Sequence, residues 1–173
     1  QIAKGDQCLS ISRGLFDKVL EVLTNSVETT HKDERQQALY DMLAAGGLRY
    51  FDRDHLIEQA ENAEFYRILE MLYEKTDEYD KIMECYIRDE QRQTQCFSLI
   101  QKIFLEDDDE RSNERKSTIE KSVMKHLDKL LDIDTKKTAM VIYHHLPTYI
   151  PLVITKLESN EEKLFEFLKY SLE

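Results

Sequence analysis

Turn-forming residues are scarce in this chain: its 173 residues include only 4 Gly and 2 Pro. Average usage would supply roughly 12 and 9, and sandwiches, barrels and Rossmann sheets depend on such residues for their tight turns. Tryptophan is absent, and the three cysteines, Cys8, Cys85 and Cys96, form no CxxC pair. An odd, scattered set argues against a disulfide framework or a zinc module and predicts a reducing, cytosolic setting. No run approaches the ~20 apolar residues needed to cross a bilayer. The chain opens on Gln1 without a basic-then-apolar leader, so no secretory signal is expected and it reads as a piece of something longer. Phosphate-cradling glycine loops, GxSxG elbows and dinucleotide fingerprints are all missing.

Positive charge is also in short supply. Lys and Arg number 24 against 35 Asp and Glu, a formal charge of -11. Nucleic acid phosphates and anionic lipid are bound through clustered cations, so neither is an expected partner and membrane contact would be indirect.

What the chain does have is helical periodicity. Apolar residues recur at i, i+3, i+4 spacing along nearly the whole length. Leu15, Phe16, Val19, Leu20 and Leu23 form one stripe and Ala38, Leu39, Met42 and Leu43 a second, which Gly46-Gly47 is expected to stop. Asp52 can cap a short helix carrying Leu56, Ile57 and Ala60. Phe65, Leu69 and Leu72 share a face. Asp77 is placed to cap the next helix, whose Tyr79, Ile82, Met83, Tyr86 and Ile87 fit the amphipathic template throughout, and Cys96, Leu99, Ile100, Ile103 and Phe104 repeat it.

The acidic stretch Glu106 to Asn113 reads as an exposed loop. A long helix follows through Ile119, Val123, Leu127, Leu130 and Leu131, then another through Ala139, Ile142, Tyr143 and Leu146 that Pro147 ends. Pro151 fits the first turn of a helix through Ile150, Val153, Ile154 and Leu157. Ser159 and Glu162 stand at capping-box spacing before a last stripe of Leu164, Phe165, Leu168 and Leu172. The expected fold is all-α: about nine helices paired antiparallel by short connections and stacked as a TPR-like α-solenoid in preference to a compact bundle. Residues 1–173 are one segment, with helix arrays at 1–105 and 114–173 on either side of the acidic loop at 106–113.

Chemistry-bearing residues do not assemble into a motif. His144 and His145 are sequence neighbours that project about 100° apart on a helix and cannot chelate one ion as an i, i+4 pair does. His31, His55 and His126 are scattered. If Asp107 opened a calcium loop, Arg111 would fall on the fifth position and Ser112 on the sixth, where glycine is needed; a solvated linker or a site for a basic peptide fits better. Cys85 and Cys96 sit on apolar stripes and read as buried structural thiols. Tyr66, Tyr73, Tyr79 and Tyr86 read as interhelical packing, or alternatively as the lining of a groove for a partner helix. No catalytic, cofactor-binding or metal-ligating set is assigned, and the chain is not expected to be an enzyme.

One segment carries a resemblance. Phe65-Tyr66-Arg67-Ile68-Leu69-Glu70-Met71-Leu72-Tyr73-Glu74, followed by Glu78-Tyr79-Asp80-Lys81-Ile82-Met83-Glu84-Cys85-Tyr86-Ile87-Arg88-Asp89, resembles a clathrin heavy-chain-type repeat: a Leu-Tyr helix end, a short polar turn, then Tyr, a charged pair and an aliphatic residue. The version here is most similar to the vacuolar protein sorting subunits of endosomal tethering complexes, and in particular to the kind specific to CORVET. It is best over Leu48 to Phe104, weaker over Val123 to Leu172, and residues 1–45 add only compatible helices. The resemblance implies a non-catalytic scaffold segment that contacts other tethering subunits, is cytoplasmic, and lies on early endosomes only through its complex. Rab GTPase binding is expected elsewhere in the full-length protein, since the family's β-propeller and RING module have no counterpart here. The alternatives are a HOPS or coat-type subunit, a free-standing module with an acidic peptide-binding groove, and a di-metal helical hydrolase, which would need two Glu-x-x-His elements that are absent.

Overall fold

In a computed structural model of the chain, the described residues are 13–25, 30–45, 52–107 and 109–171. Among them are eleven α-helices and one short 3-10 helix, and no strand, so the all-α expectation is met. The chain divides into two compact units, Gln1–Leu72 and Tyr73–Glu173.

The first unit holds α1 (Arg13–Leu23), α2 (Lys32–Ala44), α3 (Arg53–Asn62) and most of α4 (Tyr66–Glu74). Phe16, Leu20 and Thr24 fall at i, i+4, i+8 and are buried, as are Gln36, Leu39 and Leu43 on α2. Helix ends here are closed by side chains from other elements. Arg35 donates from Nη1 to the carbonyls of Leu23 (3.2 Å) and Asn25 (2.7 Å), satisfying acceptors at the α1 C-terminus. The buried Gln36 Oε1 accepts the Arg67 backbone N–H at 2.9 Å, doing for α4 what an N-cap side chain would. Asp52 caps α3 as expected, accepting from Asp54 N at 3.0 Å and His55 N at 3.5 Å. The Gly46-Gly47 stop lies outside the described residues, although α2 does end at Ala44.

The second unit holds α5 (Tyr79–Arg88), α6 (Gln95–Phe104), α7 (Glu110–Lys125), α8 (Leu127–Ile133), α9 (Thr135–His145), the 3-10 turn Pro147–Tyr149, α10 (Ile150–Leu157) and α11 (Glu161–Ser171). Helices pack against others one, two or three places along: α5 on α6 and α7, α6 on α7 and α9, α8 on α9, and α11 on α9 and α10. This is the locality expected of an array of short helices. Ile82, Met83, Cys85 and Ile87 of α5 and Cys96, Phe97, Leu99, Ile100 and Ile103 of α6 supply much of its core, joined by Ile119, Val123, Leu130, Ile142 and Phe167. Pro147 follows directly on the C-cap of α9, and Pro151 sits in the first turn of α10.

Several local expectations need correction. The helix predicted through Ile119 to Leu131 is two helices that meet at His126. There the backbone turns to φ -104°, ψ 15°, yet its N–H still reaches Ser122 O and its carbonyl still accepts Leu130 N, both at 3.0 Å. Asp77 does not cap α5: it sits in the left-handed region at φ 57°, and its carboxylate turns to Arg111. Asn160, not Ser159, caps α11, with Oδ1 accepting Lys163 N at 3.1 Å. The buried aromatic of α11 is Phe167, while Phe165 is 69% exposed, because the segment carries two overlapping apolar stripes and α9 covers the Leu164–Phe167 side. On α9, Tyr143 is likewise exposed.

Candidate interaction surface

The tyrosines singled out by sequence are used inside the chain. Within the second unit Tyr73 and Tyr79 are buried, with Lys81 Nζ 5.0 Å from the first ring centroid and the Arg115 guanidinium 5.5 Å from the second; half-buried Tyr86 has Arg92 at 5.0 Å. In the first unit Tyr66 is half-buried beneath Lys32 at 5.6 Å. Ring faces engaged by the chain's own cations are poor candidates for the lining of a helix-binding groove.

The histidines stay apart. His31 is exposed, at φ 57°, with Nδ1 3.3 Å from Glu34; His55 is exposed on α3. His145 stacks on Phe104 with centroids 4.7 Å apart, and burial, aided by neighbouring His144, holds its pKa below the ordinary value. His126 is lowered by burial and by Lys125, and its Nε2 is buried without a hydrogen-bond partner. Cys85 and Cys96 are buried, and burial pushes the Cys96 thiol up to about 11, the reverse of what a nucleophile needs. Cys8 lies outside the described residues. Among the described residues no three His, Cys, Asp or Glu side chains come together to hold a metal ion.

The most concentrated polar chemistry lies where α6 gives way to α7. Asp109 accepts Ser112 N at 2.7 Å and so starts α7 at Glu110, placing residues 110–113, expected in the loop, in its first turn. Arg115 is the hub: its Nη1 donates to Glu106 at 2.8 Å, a second nitrogen lies 4.0 Å from Asp77, and its guanidinium covers the Tyr79 ring. Arg111 also pairs with Asp77 and holds that carboxyl below the usual range, while Lys116 Nζ closes on the Glu106 carbonyl at 2.9 Å. Leu105, Glu106, Asp107, Asp109, Ser112 and Arg115 line an open pocket beside this network. Sequence reading found the acidic run and placed Ser112 only at the failed sixth position of a calcium loop, and it did not single out Arg115. Two arginines at i, i+4 directly after five acidic residues are the signal that was present.

The fold thus defines a class, an all-α helix array with a charged surface pocket. Sequence comparison narrows it. The chain is 39% identical over all 173 residues to the Homo sapiens protein named Vacuolar protein sorting-associated protein 8 homolog, and 38% identical over the same span to that of Mus musculus. The Drosophila melanogaster protein of that name is 30% identical over 169 residues, covering 94% of this chain. The likeness to vacuolar protein sorting-associated protein 8 is therefore borne out, and it extends through residues 1–45, where sequence reading saw only compatible helices. The chain spans 12% of the human and mouse relatives and 13% of the Drosophila one. No family model matches the chain. No solved structure matches it either.

Proposed function

We propose that this chain is a non-catalytic helical scaffold segment of an endosomal tethering subunit of the CORVET kind, acting in endosomal and vacuolar protein sorting through contacts with other subunits of its complex. The observation that carries this reading is the end-to-end similarity to one stretch of relatives named for vacuolar protein sorting. Packing of each helix mainly on near neighbours supports it, since such an array offers continuous side-chain surface for docking. The burial of both thiols described here points away from nucleophilic chemistry. No helix among the described residues is long and apolar enough to cross a membrane. Residence on early endosomes through the assembled complex is part of the same reading. Clathrin-type repeat character and placement of Rab contacts elsewhere in the full-length protein belong to the same proposal, as does the division of residues 1–173 into arrays on either side of the 106–113 stretch.

The test is rescue. Cells lacking the full-length protein should recover endosomal cargo delivery when given the intact protein but not when given one that lacks this segment. Full rescue by the deleted form would overturn the proposal.

A further inference from the structure

The geometry points to the pocket between α6 and α7 as a recognition site for an arginine or lysine side chain from a basic segment of a protein partner. This goes beyond the scaffold reading and does not depend on which complex the chain serves.

The pocket occupies about 360 Å³, small for a ligand cavity and suited to one long side chain rather than a helix. Its charge favours a cation. Glu106, Asp107 and Asp109 contribute three carboxylates against the single guanidinium of Arg115, which binds Glu106 and lies near Asp77, although its buried Nε has no hydrogen-bond partner among the described residues. Asp109 is committed to the Ser112 backbone N–H, whereas exposed Asp107 has no ion pair with a described residue. The C-terminal end of α6, at Leu105, and the first turn of α7, at Ser112, both border the pocket, so their opposite dipole ends offset and the carboxylates set its sign.

An independent sign of a missing group is Ser112. It borders the pocket, it is only 3% exposed, and its buried Oγ has no hydrogen-bond partner. A buried hydroxyl left unpaired is costly, and a partner's N–H donor entering the base of the pocket would complete it. Among the described residues the carboxylates do not converge as metal ligands do, which favours an extended, forked guanidinium or a tethered ammonium over a bare ion.

The probe is the peptide acetyl-Gly-Arg-Leu-Arg-Gly-amide, titrated into the isotope-labelled 173-residue chain and followed by amide NMR shifts at about 30 mM and about 300 mM salt. Shifts should concentrate at residues 105–115 and weaken with salt. Asp107→Asn should weaken binding about threefold, as for a solvent-facing ion pair, and Ser112→Ala about fivefold, as for one hydrogen bond. Because Ser112→Ala deletes an unpartnered hydroxyl, its Tm should stay the same or rise. A lowered Tm would show that the hydroxyl is satisfied within the chain and would overturn the proposal. So would shifts scattered over the acidic surface with both variants binding as tightly as the parent, or displacement of the peptide by equimolar calcium or spermidine.

Discussion

Ile82→Asp tests the helix packing most sharply, because the consequences can be worked out term by term. Ile82 is 3% exposed on α5, in a helix that packs against α6 and α7. Losing its burial removes about 2 kcal/mol. A carboxylate at that position cannot stay charged without water or a cation, so it takes up a proton. Holding it neutral at pH 7 against an unfolded pKa near 3.9 costs roughly 4 kcal/mol more, and the neutral carboxyl, buried without partners, about 2 more. The total, about 8 kcal/mol, is comparable to the whole stability of a small domain. The folded pKa is raised, so the protonation penalty is full at neutral pH and shrinks as pH falls toward the unfolded value, leaving about 0.5 kcal/mol of it at pH 4 and a total of about 4.5. Ile82→Asn, nearly the same shape, should lose about 4 kcal/mol at both pH values, from lost burial and an unpaired amide. Urea unfolding followed by far-ultraviolet circular dichroism, each variant compared with the parent at the same pH, separates these cases. Equal losses for Asp and Asn at pH 7, or a loss under about 1 kcal/mol for either, would refute the burial assignment.

On α11, Phe167→Ala should cost about 3–5 kcal/mol while Phe165→Ala should change stability by no more than about 0.5, read from melting curves of the two variants. Asp77, held below its ordinary pKa by Arg111, contributes stability that is present above the unfolded pKa and is lost as pH falls through the folded one; Asp77→Asn should flatten that acid limb in pH-dependent melts. Cys96, pushed up to about 11 by burial, should resist thiol-reactive dye at pH 8 in the folded chain and react at once in denaturant; rapid labelling of the native protein would contradict its burial.

How far the sequence could be read depended on whether one stripe dominated a segment. In α5 and α6 charged or polar residues bound a single apolar face, and the residues named there are buried, apart from half-buried Tyr86 and Phe104. In α11, Leu164, Phe165, Phe167 and Leu168 admit two faces, and only packing on α9 selects Phe167. Caps divided the same way. Asp52 needs only the N–H groups two and three residues on to act, whereas Asp77 is drawn off by Arg111, 34 residues away. Gln36 could not be foreseen as the group that closes α4, because its partner N–H belongs to Arg67. The pocket between α6 and α7 was half legible. The acidic run was plain, but burial of the Ser112 hydroxyl and the Arg115 hub arise only when α7 folds against α5 and α6.

The most direct measurement is the amount of partner tethering subunit that co-purifies in one stoichiometric complex with the full-length protein, compared between the intact form and the Ile82→Asp form. Docking through the folded helices of this segment predicts that the complex is recovered with the first and largely lost with the second, while an exposed change such as Phe165→Ala retains it. Undiminished recovery with Ile82→Asp, under conditions where that substitution demonstrably unfolds the isolated chain, would contradict the account.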